Sequence, residues 1–169
     1  MEKRAKTTIK AMSVTAIAGA LVFVASRFLM IPYPSGAGYF NFGDAIIIFT
    51  SLFFGPIEGV ISGAIGAALS DLSSGYAFFI PFTIVAKSLE ALLAYFANKL
   101  LNKSKFSAVF AGLLAPIPMI LAYLVSYLIL GEWGYVAIST PLDILQGALS
   151  SAVAIPLYYL IKKVKIFNR

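Results

Sequence analysis

Eleven of the thirteen Lys and Arg residues of this 169-residue chain stand in three clusters separated by long apolar stretches. Lys3, Arg4, Lys6 and Lys10 open the chain, Lys99, Lys103 and Lys105 sit near its middle, and Lys162, Lys163, Lys165 and Arg169 close it. With 60% hydrophobic and 12% charged residues, such a chain takes lipid as its solvent, and the clusters read as the positive-inside rule, all three on the cytoplasmic face. Arg27 and Lys87, the two cations left over, then mark something within the membrane. The net charge of +6 does not point to nucleic acid, because the basic residues flank apolar segments and form no basic face of an aqueous fold. The chain holds no Cys and no His, so disulfides, thiolate chemistry, imidazole bases and the usual zinc ligands are excluded.

A helix needs about 20 residues to cross the hydrocarbon core. Segments 10–30, 57–72, 80–101, 106–130 and 137–161 meet or approach that length, and the first is too long and lacks a cleavage site for a signal peptide. The apolar run at 42–55 is short, but only if it also crosses do all three cation clusters share one side. The expectation is an all-α integral membrane protein, a single domain spanning 1–169. Its six transmembrane helices form a bundle with both termini cytoplasmic. The outer loops, 31–41, 73–79 and 131–136, carry no Lys or Arg and are rich in Gly, Pro and aromatics. That composition suits loops folded over a small molecule and equally an interfacial aromatic belt.

Ionisable groups at membrane depth face a bundle interior or a watery cavity and have partners. Arg27, Asp44, Asp71, Lys87, Glu90 and Asp143 all fall on the outer half in this topology, whereas the inner half holds only Glu58, where an acid suits a helix start. Each has an ordinary structural explanation. Lys87 and Glu90, three apart, could pair on one helix face, and Asp44 and Asp143 could cap their helices. Together they describe a polar pocket open outward and sealed inward, which suits capture of an external solute rather than an ion pathway through the full thickness. Gly55, Gly59, Gly63 and Gly66 give one helix a smooth groove for close packing, and Ala16 and Ala20 form a small-xxx-small pair on the first helix.

The runs NFGD (41–44), GPIEG (55–59), GAIGAALSDLSSGY (63–76) and PFTIVAKSLEAL (81–92) resemble the substrate-binding S component of energy-coupling-factor (ECF) vitamin transporters. The resemblance is strongest over 41–92 and weak after Phe106. It implies a six-helix bundle in a prokaryotic plasma membrane that binds a vitamin or precursor near the outer surface, under the loop joining the first two helices. It also implies a transmembrane coupling (T) subunit and a pair of cytoplasmic ATPases as partners, with the S component toppling in the lipid bilayer to release its cargo.

Carried over by position, the resemblance assigns substrate contact to Tyr39, Asn41, Tyr76, Thr83, Lys87, Trp133, Asp143 and Gln146, with Tyr135 an alternative stacking partner to Trp133. It assigns contact with the coupling subunit to Ala16 and Ala20. Pyridoxine or hydroxymethylpyrimidine is the preferred substrate, with riboflavin next and pantothenate open. No metal or cofactor is called for. Aromatic walls and a few convergent hydrogen-bonding groups suit a planar heteroaromatic ring, and Asp71 or Asp143 could accept from a hydroxymethyl group. No phosphate loop of the GxxxxGK[ST] kind is present, so ATP hydrolysis would fall to partner subunits and the chain itself would be no enzyme. A self-sufficient secondary transporter or channel is the competing class, although no inverted repeat supports it. Replacing Ala16 and Ala20 by Trp is expected to abolish co-purification with a coupling subunit while ligand binding persists; normal co-purification would remove that assignment.

Overall fold

The computed structural model describes residues 2–131 and 133–164, with backbone alone for 2–7. Lys165, Arg169 and Glu132 therefore lie outside the described residues, as do the side chains of Lys3, Arg4 and Lys6. The elements are α1 (Glu2–Phe28), β1 (Ile31–Pro32), β2 (Tyr39–Phe40), α2 (Gly43–Phe53), α3 (Pro56–Ser74), a 3-10 turn (Ala77–Phe79), α4 (Ile80–Leu100), α5 (Ser107–Leu114), α6 (Ile117–Leu130) and α7 (Trp133–Lys163). The fold is thus almost wholly helical, its one sheet a two-residue antiparallel ladder that pairs Ile31 with Phe40 and Pro32 with Tyr39.

Among the described residues, four stretches are long and apolar enough to cross a membrane: Thr8–Phe28, Ala77–Leu100, Ser107–Leu130 and Trp133–Lys163. The third contains α5 and α6. Pro116 and Pro118 lack the amide hydrogens that would carry the helix ladder through, yet Ala115 and Pro116 keep right-handed helical dihedrals, so the break is local. Pro141 and Pro156 sit inside α7 without ending it, as lipid-embedded helices tolerate. The sequence reading leaves 131–136 as loop, whereas Trp133–Val136 already belongs to α7. Gly131, with φ 78°, ends α6 in the left-handed region and turns the chain back at once.

α2 has 11 residues and so spans about 16 Å. It avoids the lipid by packing against α1, α3, α4 and α7. Its Ile47, Ile48 and Leu52 are buried, the last two in a core with the small residues Ala94, Ala97, Ala108, Ala111 and Ala154. Alanine lets α4, α5 and α7 close around the short helix, since packing between helices in lipid rests on close contact rather than on a hydrophobic drive. Large apolar side chains such as Ile17, Leu21, Ile61, Ile65, Leu121 and Val153 point outward, while Asp44, Lys87, Glu90 and Gln146 are almost wholly buried. A lipid-exposed surface with polar groups turned inward accounts for that inversion.

α3 is the closest-packed element. Gly59 faces Ser51 and Gly63 faces Ile47, both on α2, and Gly66 faces α1. A Cβ at Gly66 would stand 2.5 Å from the Gly19 carbonyl oxygen and 2.8 Å from Val22 Cβ, so backbone would have to move. Gly66→Val is therefore expected to lower the thermal unfolding temperature in detergent, at a cost of about 1–3 kcal/mol. Gly134→Ala, where an added Cβ meets nothing within 4 Å, serves as the control and should leave stability within about 0.5 kcal/mol of the parent.

Candidate functional site

The buried polar groups assemble around the first turn of α2. Asp44, fully buried, takes the Lys87 ammonium of α4 on Oδ1 at 2.5 Å and the Gln146 Nε2 donor of α7 on Oδ2 at 2.7 Å. Gln146 Oε1 in turn accepts the backbone N–H of Asn41 at 2.9 Å. Asn41 Oδ1 accepts from the Gly43 amide at 2.8 Å and from the Ser26 hydroxyl of α1 at 3.1 Å. Asn41 thus accepts the first amide of α2, while Asp44, one residue inside the helix, ties α2 to α4 and α7. Glu90 is also fully buried, 3.7 Å from the Lys87 ammonium.

Above this node the loop between α1 and α2 forms a roof pinned on two sides. The Tyr33 phenol donates to Asp143 Oδ1 of α7 at 2.9 Å, and Tyr127 of α6 donates to the other oxygen at 2.9 Å. Ser35 meets Ser139 of α7 at 2.8 Å. On the opposite side Tyr39 donates to Asp71 Oδ1 of α3 at 2.7 Å and lies 2.9 Å from the Ser70 hydroxyl. Burial, and next the neighbouring carboxylate, push the Tyr33 and Tyr39 phenols well above their ordinary range, so both remain donors at any physiological pH.

Between roof and node lies a narrow cavity walled by aromatic rings. Tyr39 and Tyr76 are 5.0 Å apart, Tyr76 and Phe79 6.3 Å, and Phe79 and Tyr127 6.1 Å. Asn41, Asp71, Thr83, Asp143 and Gln146 supply the polar lining. Thr83 Oγ1 and Tyr123 Oη are 3.1 Å apart across α4 and α6. The free space is about 20 Å³, room for one or two waters, so a ring-sized molecule enters only if the roof or the aromatic walls shift.

Residues 6–163 match the family model of the ECF-type riboflavin transporter S component. The chain belongs to this S-component family. It is 33% identical over 144 residues to an uncharacterised protein of Pyrococcus woesei, covering 84% of this chain and 95% of that one. It is 28% identical over 162 residues to the thiamine precursor transporter HmpT of Lactococcus lactis, covering 95% and 92%. In fold it is similar to the solved S component of a bacterial ECF transporter, with a TM-score of 0.75, 23% identity and coverage of 93% of this chain and 98% of that one. This S component is accordingly a multi-pass membrane protein and a vitamin-transport subunit rather than an enzyme.

In this S component, Tyr39, Asn41, Tyr76, Thr83, Asp143 and Gln146 line the cavity, although they come from four separate helical or loop segments. Lys87 lies beneath the lining, bound to Asp44, with its ammonium 5.4 Å from the centre of the Tyr123 ring. The pairing with Glu90 anticipated from spacing exists, but the shorter contact is to Asp44, 43 residues away. Neither Asp44 nor Asp143 caps a helix; both are bonded across the bundle. Trp133 is 78% exposed and stands apart from the cavity, whereas Tyr135 packs with Tyr127 and Phe79 behind its wall. Ala16 and Ala20 are exposed on α1, in a shallow apolar groove shared with Ile61 and Ile65 of α3.

Sequence reasoning did not single out Tyr123 or Tyr127 for the lining. Their signal was present: with Ser126 they are the only hydroxyl-bearing residues of α6, spaced to share one face of an otherwise apolar helix. Removing one partner of a buried ion pair strands the other, so Lys87→Ala is expected to destabilise the fold by about 3–5 kcal/mol. The double change Lys87→Met with Asp44→Leu should recover part of that loss, both read by thermal unfolding in detergent. Lost ligand affinity at an unchanged unfolding temperature would place the ammonium on the ligand instead.

Proposed function

We propose that this chain is the high-affinity substrate-binding subunit of an ATP-driven ECF importer in a prokaryotic plasma membrane. It captures a one-ring heteroaromatic vitamin or precursor, hydroxymethylpyrimidine or pyridoxine, from outside. The observation that carries this reading is the narrow aromatic cavity, roofed by a loop that hydrogen bonds pin to α3 and α7. Aromatic walls with convergent hydrogen-bonding groups suit a flat heteroaromatic ring. The similarity to a thiamine precursor transporter supports the same choice. In this reading Tyr39, Asn41, Tyr76, Thr83, Asp143 and Gln146 contact the substrate, and Lys87 acts through Asp44 and Gln146 rather than directly.

The topology that goes with it has six crossings in one membrane domain, with α2 as the short one and α5 and α6 together as another. Both termini and the Lys99–Lys105 turn face the cytoplasm, in keeping with the cation clusters. Ala16 and Ala20 meet the transmembrane coupling subunit, and a cytoplasmic ATPase pair supplies the energy, since the chain contains no phosphate loop.

Mass spectrometry, absorption spectroscopy and calorimetry on the purified protein test the substrate. A colourless protein that binds hydroxymethylpyrimidine or pyridoxine is expected, and a yellow, flavin-bearing one would overturn the choice. The isolated chain in sealed vesicles should bind ligand without accumulating it; uptake with no ATPase partner would place it among self-sufficient carriers.

A further inference from the structure

Most polar atoms around the cavity are already committed to one another. Both oxygens of Asp143 accept phenols, both polar atoms of Gln146 are bonded, and the Lys87 ammonium is held by Asp44 and Glu90. One acceptor stands out. Asp71 lines the cavity at 4% exposure, its Oδ1 is held by Tyr39, and its Oδ2 is buried without a hydrogen bond. Anchoring Tyr39 explains one oxygen of this carboxylate and leaves the other unexplained. A buried acceptor without a partner is costly, and a ligand that supplies the missing donor recovers that cost. The Thr83 hydroxyl, which lies toward the same carboxylate, is paired with Tyr123 Oη at 3.1 Å, so the cavity offers one acceptor oxygen that lacks a hydrogen bond.

We propose that Asp71 is the specificity-determining residue of this site. Its Oδ2 accepts an N–H from an exocyclic ring amine. An amine conjugated to a heteroaromatic ring is a pure donor, its lone pair delocalised into the ring, and so complements an oxygen that lacks a donor. A hydroxyl, which can turn to accept, matches a carboxylate less selectively. Around the cavity and the node below it, the described residues place four acidic side chains, Asp44, Asp71, Glu90 and Asp143, against the one cation Lys87. Such surroundings disfavour an anionic ligand such as a carboxylate or phosphate ester. The ligand class is thus the neutral or cationic aminopyrimidine, an assignment that rests on the cavity being the vitamin site.

The test is calorimetry on the full-length protein in detergent with three probes: 4-amino-5-hydroxymethyl-2-methylpyrimidine, its analogue lacking the amino group, and riboflavin. The parent protein should prefer the amino compound by at least about tenfold, the size of one hydrogen bond to a charged group. In Asp71→Ala the preference should fall below about threefold, through loss of the amino compound alone. Ser70→Ala, which removes the hydroxyl 2.9 Å from Tyr39 Oη while leaving Asp71 and the cavity lining in place, should keep the preference; if it behaved like Asp71→Ala, the role of Asp71 would be structural and the proposal would fail. Asp71→Asn is run in parallel, and if neither Asp71 variant folds, absence of the preference in the parent protein still overturns the assignment. Binding of both pyrimidines at a ratio unchanged in Asp71→Ala overturns the role of Asp71 but not the vitamin class. Binding of riboflavin and neither pyrimidine overturns both.

Discussion

The Asp44 carboxylate, buried at the start of a helix too short to span a membrane comfortably, is the interaction on which this end of the bundle depends. Through its two oxygens it holds Lys87 of α4 and Gln146 of α7, and through Gln146 it reaches the backbone at the root of the roof loop. Charged groups at such depth are tolerated only when paired and hydrogen-bonded. The geometry of four elements is therefore constrained together: a shift of α2 breaks the ion pair, a shift of α7 frees the amide, and either one loosens the loop. The same node forms the floor of the cavity, so binding and helix packing draw on one set of contacts.

Polar cohesion at this end of the bundle is complemented by steric closeness at the other. There the small residues Ala94, Ala97, Ala108, Ala111 and Ala154 allow close approach around α2. Glycines of α3 do the same against α1 and α2. The outcome is a bundle with one end closely packed and hydrogen-bonding groups gathered at the other.

Much of this was legible in the chain. Cation clusters separated by apolar runs imply a helical membrane protein, and the concentration of carboxylates toward one face implies a polar outer pocket. The positions proposed for substrate contact on the strength of motif resemblance mostly meet at one cavity. What was not legible were pairings across long sequence separations. The spacing of Lys87 and Glu90 on one helix suggests a local pair, yet Asp44 is nearer, because the tertiary fold brings a fixed carboxylate to the ammonium. Trp133, attractive as an aromatic near the outer end, faces away because its place at the start of α7 directs it outward. Tyr33 lies in a loop whose composition equally suits an interfacial belt; only the closed roof turns its phenol toward Asp143.

Hydropathy and charge distribution, properties of local segments, by themselves determined that this chain is a helical membrane protein, because lipid leaves the backbone few other ways to satisfy its hydrogen bonds. Composition also excluded thiol, imidazole and phosphate-loop chemistry. Which carboxylates are committed and which is free was decided by tertiary structure alone. Asp44, Asp71 and Asp143 are alike as letters, but one holds a lysine and a glutamine, one is closed off by two tyrosines, and one keeps an oxygen without a hydrogen bond. That distinction depends on partners more than 100 residues apart in the chain for Tyr33 and Gln146, and no periodicity within a helix carries it.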